Sequence, residues 1–344
     1  MSENSPGWQA IDDACERVHG PVEPTHFSPG VRFALGGKDP LDGISCYAVT
    51  DPPHWHFVSY GMSELYRKES KDKERSGWGF EFSMRLQRDE GEPPPWALSF
   101  LQNLARYVFR TGNWFQAGHH MSLNGPIAAG ADTKLVGVMF VEDPHMQALD
   151  TPNGKVSFLQ ILGVTEDELT AANAWNTISM AKLIQSVDPD GIVVLGRGSV
   201  LEIEASRRAF DEGCARDGSL TAALFLGENV KFRRSETTIE FTVGARQVPM
   251  LATLLRGRLA FGRPLMLNGT SGVRIRLLPQ ELAERSTPTK GVHDVVMRPE
   301  WVDELVSTLR PERGAYTVAG GELQIVVVPT EVRDHHGRPI RIIG

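Results

Sequence analysis

The amino-acid sequence predicts an α+β (mixed α/β) protein of two domains. The chain has 344 residues, which exceeds the length at which one hydrophobic core usually stops growing. Segments with strand patterns are interrupted by segments with helical patterns in both halves of the chain. Between Ser206 and Leu220 the sequence becomes polar and charged, with little sustained apolar period, which is typical of a domain boundary.

We therefore predict four segments. Residues 1–27 are an N-terminal helical extension, and residues 28–220 are the larger domain, built on a mixed sheet. Residues 221–330 are a smaller C-terminal α+β domain, and residues 331–344 are a flexible tail rich in Arg, His and Asp.

In the N-terminal half, the apolar residues of Trp8–Val18 recur at helical spacing and predict an amphipathic helix. Strict alternation over Phe80–Leu86 predicts a strand with one buried face. Trp96–Phe109 follows a run of prolines and places its apolar residues along one helical stripe. The apolar segments Leu135–Val141 and Val156–Leu162 are typical of central strands that are buried on both faces.

Thr165 and Glu168 fit a capping box, which predicts a helix from Glu166 to about Trp175. A second helix is predicted for Ile178–Val187, and a hairpin for residues 192–203. In the C-terminal half the sequence predicts three strands and two helices: Ile239–Val243 (strand), Val248–Arg256 (helix), Val273–Leu278 (strand), Pro299–Leu309 (helix) and Leu323–Val328 (strand).

The composition limits the classes of partner. A formal net charge of -7 leaves no global basic field, so nucleic acid is not expected to bind, and a protein partner with a basic patch is favoured. The sequence has no signal-peptide pattern and no run of ~18 apolar residues, so we expect a soluble cytoplasmic protein that does not enter membranes. Cys15, Cys46 and Cys214 lie far apart, which argues against a disulfide framework and fits a reducing compartment.

The histidines give the one enzymatic alternative. His54 and His56 alternate and face one side of a strand, and His119 could approach them to complete a zinc site in a metal-dependent hydrolase. None of the specific zinc signatures occurs, however, and histidines that flank Trp55 are well explained as packing or hydrogen-bonding residues. The packing interpretation is favoured, and no metal or cofactor is predicted.

Signals for binding are stronger than signals for catalysis. The sequence contains no Gly-x-Ser-x-Gly elbow and no phosphate loop, so we predict that the protein is not an enzyme. The first domain is instead rich in aromatic residues, which are common anchors of protein interfaces: Tyr60, Tyr66, Trp78, Trp96, Tyr107, Trp114 and Phe115.

An ordered series of segments between residues 31 and 280 resembles the suppressor-of-fused family. It consists of Leu35–Asp42, His54–Gly61, Gly79–Phe82, Leu104–Phe109, Gly118–His120, Glu142–Gln147, Phe158–Thr165, Leu255–Leu259 and Phe261–Arg263. The resemblance implies a non-enzymatic module that holds a partner protein or peptide in a cleft between two domains, as an added β-strand.

The resemblance also implies site residues. The tyrosine of the family's partner site is present as Tyr107, and its aspartate is replaced by His119. The C-terminal motif implies partner contacts from Leu255, Arg256 and Arg258. The compact length is similar to the bacterial branch of the family, which implies an immunity protein whose partner is a toxin domain.

Overall fold

The computed structural model describes residues 5–89, 91–227, 230–333 and 338–344. Within these residues there are eight α-helices: α1 Pro6–His19, α2 Pro95–Thr111, α3 Glu166–Ala174, α4 Thr177–Val187, α5 Glu204–Asp217, α6 Val248–Leu254, α7 Gln280–Ala283 and α8 Pro299–Thr308. None of these helices has the length and apolar character that crossing a bilayer requires. Helices and mixed sheets together confirm the predicted α+β fold class.

The contacts divide the chain into two compact units. The first unit contains residues up to 169 together with 177–207, and the second contains 170–176 and residues from 208 onwards. The division between residues 207 and 208 falls within the stretch Ser206–Leu220 that the sequence indicated, although this stretch forms α5 and not a linker. The assignment of residues 170–176 to the second unit was not predicted. Most side chains of α5 are exposed, which explains its weak apolar period.

An eight-stranded mixed sheet forms the centre of the first unit in the described part of the chain. Its strands are β1 Thr25–Phe27, β2 Gly43–Thr50, β3 Pro53–Tyr60, β4 Arg75–Gln87, β5 His120–Ser122, β6 Leu135–Glu142, β7 Leu149–Thr151 and β8 Gly154–Thr165. The spatial order is β1-β2-β3-β4-β8-β6-β5, with β7 paired to β8. Only the β4–β8 pair is parallel; the remaining pairs are antiparallel.

Both faces of this sheet are covered. On one face α2 packs its predicted apolar stripe, which includes Leu101 and Val108, against Phe82 and Met84 of β4. On the other face Ile11 and its neighbours in α1 pack against residues of β2, β3 and β8. The predicted N-terminal extension is therefore part of the first unit, since α1 covers the sheet and β1 extends it.

Two local predictions in the first unit are wrong. The second face of β4 is not exposed, because Glu81, Ser83 and Arg85 lie beneath the layer that α1 builds. The hairpin predicted for residues 192–203 does not form: this segment makes a single bridge to β4 and a 3-10 turn. The guanidinium of Arg197 turns inward to Glu168, so side-chain bonds hold the segment in place of a strand ladder.

The second unit contains three smaller sheets in the residues described. Their strands are β9 Ala223–Gly227, β10 Phe232–Arg234, β11 Ile239–Gly244, β12 Leu265–Gly269, β13 Arg274–Pro279, β14 His293–Met297, β15 Gly314–Val318, β16 Leu323–Val328, β17 Thr330–Arg333 and β18 Pro339–Ile343. The first sheet has the order β10-β11-β16-β15, the second has the order β14-β13-β12-β9, and the third pairs β17 with β18. The five predicted elements of this half are all present, and the predicted flexible tail contains the paired strands β17 and β18.

The packing of α1 gives a stability prediction. Ile11 is fully buried between α1 and the sheet, so Ile11→Ala should lower the free energy of unfolding by about 2–4 kcal/mol through lost burial and a residual cavity. Urea denaturation followed by circular dichroism measures the change. The matched control is Glu16→Ala on the exposed side of the same helix, which should stay within about 0.5 kcal/mol of the wild type. Equal midpoints for the two variants would contradict the packing role of α1.

Candidate partner-binding site

Tyr107 lies in the last part of α2, and its ring is held by stacked aromatic side chains. The ring stacks on Phe115 with centroids 5.6 Å apart, and Phe115 stacks on Phe140 of β6 at 4.1 Å. Phe115 and Phe140 are buried, whereas Tyr107 is half-buried. Tyr107 is therefore a rigid aromatic side chain with one part accessible to a partner.

His119 directly precedes β5 and is fixed by backbone bonds to β6. The Gly118 amide donates to the Phe140 carbonyl, and the Phe140 amide donates to the His119 carbonyl, each at 2.9 Å. Phe140 thus contacts both predicted site residues, His119 through its backbone and Tyr107 through Phe115. Burial lowers the pKa of His119 below its ordinary value, so at pH 7 the imidazole is neutral and offers one donor and one acceptor.

β5 is the last strand of the sheet in the described residues. It pairs antiparallel with β6, with Met121 opposite Val138, and the Leu123 amide donates to the Val136 carbonyl. Because the bonding direction alternates along an antiparallel strand, the backbone groups of Ser122 point away from β6. An edge strand of this kind is a template for the addition of another strand.

The C-terminal residues predicted at the site lie within the second unit. Leu255–Leu259 forms a π-helical turn, in which Leu255 is fully buried. The buried guanidinium of Arg258 donates to the carbonyls of Ser219 and Pro264. Of the three predicted residues only Arg256 is exposed. Partner contact by Leu255, Arg256 and Arg258 stays a prediction. Leu255 lies in the hydrophobic core of the second unit, and Arg258 binds backbone carbonyls of the same unit.

The histidines of the alternative metal site do not come together. His54 and His56 share a face of β3, as predicted, and both are buried. β4, β8 and β6 separate β3 from the strand that follows His119, a distance of ~19 Å at the usual strand spacing. Among the residues that the structure describes, no group of three or more His, Cys, Asp or Glu side chains is arranged to hold a metal ion.

His56 belongs instead to a buried network on the second face of β4. The Ser83 hydroxyl donates to Asp143, so His56 donates from Nε2 to the Ser83 oxygen at 2.9 Å. The Nδ1 atom of His56 then accepts from Nε2 of His19, 2.8 Å away at the end of α1. Neither ring nitrogen of His56 is left to bind a metal.

The same network contains the residue types of a hydrolytic triad, but its geometry does not fit one. In a triad the carboxylate orients the histidine, whereas here Asp143 accepts directly from the serine and pairs with Arg85 through two 2.9 Å bonds. Ser83 and His56 are fully buried, so a substrate cannot reach them. The network is structural.

A groove beside Tyr107 was missed by the sequence reasoning. It has a volume of about 400 Å³, and its lining includes Lys38, Tyr107 and Arg110. The sequence contains one signal for this groove: Arg106 and Arg110 lie one helical turn apart on either side of Tyr107.

Comparison with known proteins identifies the class to which this fold belongs. Residues 37–198 match the family described as Suppressor of fused protein (SUFU). The human and mouse Suppressor of fused homologs are each 36% identical over 233 residues, which cover 62% of this chain and 48% of the relative. The chain thus spans about half the length of the curated relatives it matches.

Solved structures agree with this assignment. The crystal structure of Drosophila Suppressor of Fused matches this chain with a TM-score of 0.79 and 22% sequence identity. The match covers 95% of this chain and 98% of the Drosophila chain, which shows a shared fold. A chain of the Sufu–Fu complex crystal structure is 30% identical, has a TM-score of 0.56, and covers 59% of this chain and 96% of its own. The protein belongs to the suppressor-of-fused family.

The buried histidines predict a pH dependence of stability. Burial, with the nearby charge of Arg85, lowers the pKa of His19 to about 4 from 6.5 and also lowers the pKa of His56. Between these pH values the unfolded chain binds protons that the folded chain does not, so the free energy of unfolding should fall as the pH drops from about 6.5 to about 4. Urea unfolding across this range measures the slope.

His19→Gln separates the contribution of this histidine from those of the carboxylates. Its curve of unfolding free energy against pH should be flatter than that of the wild type between about 6.5 and about 4, because one of the shifted groups is gone. Parallel curves would show that His19 does not titrate differently in the folded and unfolded states.

Proposed function

We propose that this chain is a non-enzymatic protein-binding module that takes an extended segment of a partner protein as an added strand along the outer edge of β5. The observation that carries the proposal is the outward-facing backbone of β5, which lies beside the stacked ring of Tyr107 and follows His119, whose backbone is bonded to β6. In this mode backbone hydrogen bonds supply affinity, and the flanking side chains supply specificity.

The two side chains have separate roles in the proposal. The Tyr107 ring is stacked on Phe115, so little conformational entropy is lost when a partner packs on its accessible part. His119 is neutral at pH 7 because burial lowers its pKa, and it exchanges one hydrogen bond with the partner in place of an ionic contact.

Two further observations support a binding function. One solved relative is named as a complex of Sufu with Fu, so a protein of this family forms a complex with another protein. The serine, histidine and aspartate that could suggest hydrolysis are buried beneath α1 and positioned as structural groups. A toxin domain neutralised by an immunity protein is one class of partner that the proposed edge would accommodate.

A proline in β5 tests the strand-addition mode. Ser122→Pro removes the amide that points away from β6, while the Met121 and Leu123 amides that face β6 remain. Partner capture from the native cell extract, measured by mass spectrometry, should be lost. Ser122→Ala keeps the amide and should capture the same protein as the wild type. Equal capture by the proline variant would place the partner elsewhere.

Truncation of the aromatic anchor tests the second part of the site. Tyr107→Ala should weaken binding of the captured partner by roughly 1–4 kcal/mol, the range for a buried aromatic anchor, measured by isothermal titration calorimetry. Tyr107→Phe keeps the stack on Phe115 and should lose less than Tyr107→Ala. An unchanged affinity in a folded Tyr107→Ala protein would exclude the ring from the interface.

A further inference from the structure

The groove beside Tyr107 has a charge opposite to that of the whole protein. Lys38 and Arg110 are exposed at its margin, and Arg106 lines it between them. No carboxylate lines the groove in the described residues, although the formal net charge of the chain is -7. A local basic field therefore lies directly beside the proposed strand site.

The three cations are not equivalent. The Nε and Nη2 atoms of Arg106 both donate to Asp39, which neutralises this guanidinium and fixes its position. The side chains of Lys38 and Arg110, by contrast, have no hydrogen bond or ion pair with any residue in the described part of the chain. Two uncompensated positive charges thus remain at the margin of the groove.

The aromatic side chains of Phe33, Tyr107 and Phe109 line the groove. Phe33 packs edge-to-face on Phe109 with centroids 5.2 Å apart, and Trp78 packs on Phe109 from another side at 5.7 Å. Phe33 is still 43% exposed, and the neighbouring Leu35 is 77% exposed. An exposed apolar lining beside free cations is suited to an apolar side chain flanked by carboxylates.

We propose that this groove, named here the Lys38–Arg110 groove, receives an acidic stretch of the partner protein in which Asp or Glu residues flank one large apolar side chain. The proposal rests on the proposed function, because Tyr107 belongs both to the strand site and to the lining of the groove. The apolar side chain packs on Phe33 and Phe109, and the carboxylates pair with Lys38 and Arg110. Partner choice is therefore set by the local charge of the groove and not by the net charge of the chain.

Selection from a phage-displayed library of random 12-residue peptides on the full chain tests the inference. The selected peptides should contain Asp or Glu around an aromatic or aliphatic residue. Their affinity, measured by fluorescence polarisation, should fall about 10-fold for the Lys38→Gln/Arg110→Gln double variant, as two partly exposed ion pairs would give. The salt dependence of binding should also be weaker for this variant.

Two controls isolate the groove. Lys71→Gln/Lys73→Gln removes two positive charges from exposed residues of the first unit that do not line the groove, and it should leave the affinity within about 2-fold of the wild type because neither side chain can pair with a peptide held there. A fluorescent single-stranded DNA of 12 nucleotides is measured in parallel. Binding of the DNA as tight as that of the selected peptides would overturn the assignment to a protein segment.

The remaining outcomes separate this inference from the proposed function. The groove would be overturned if the selected peptides lacked acidic residues, or if they bound the Lys38→Gln/Arg110→Gln variant as well as the wild type. Strand addition would be retained in either case if the same peptides no longer bound the Ser122→Pro variant. Acidic peptides lost on Lys38→Gln/Arg110→Gln but retained by Ser122→Pro would support the groove and overturn strand addition. Failure to select any peptide would overturn both.

Discussion

The ion pair between Arg85 and Asp143 is the constraint on which the first unit depends. Since α1 and α2 cover opposite faces of the sheet, the polar face of β4 lies in the interior, and its charges must be compensated there. Although burial opposes ionisation of Asp143, the bonds and charge of Arg85 hold its pKa below the ordinary value. Removing one partner of such a pair typically costs 3–5 kcal/mol, because the other charge stays buried.

Buried carboxylates also fasten the backbone segments that follow the strands. Asp143 accepts from the amides of residues 145 and 146, and Glu81 accepts from those of residues 61, 62 and 63. Glu168 accepts from the amides of residues 165 and 200 and pairs with Arg197. Since each carboxylate joins segments distant in sequence, these bonds restrain the sheet and the loops beside it. A restrained scaffold lowers the entropy cost of the strand addition proposed at its edge.

The sequence predicted helices and strands correctly where the spacing of apolar residues along the element itself determines which side chains are buried. The stripe of α2, the strands β6 and β8, and the Glu168 half of the capping box follow from spacing alone. The burial of Glu81 and Arg85 could not be predicted, because alternation shows that two faces differ but not that α1 will cover the polar one. The hairpin at residues 192–203 failed similarly, since the Arg197–Glu168 pair joins residues 29 positions apart. At the site, resemblance supplied Tyr107 and His119, whereas the Lys38–Arg110 groove depends on tertiary contacts.

The proposed site combines side chains that the core holds in place with side chains that are exposed. The stack from Tyr107 through Phe115 to Phe140 is continuous with the core, so a change there disturbs both the fold and the proposed binding surface. The charges of Lys38 and Arg110 are exposed, and surface substitutions of this kind usually alter stability by less than about 0.5 kcal/mol. The neutral imidazole of His119 stands where a carboxylate is expected from the family resemblance. In the proposed binding mode, substitutions at these three positions change partner preference while the scaffold is retained, so membership of the family does not by itself identify the partner.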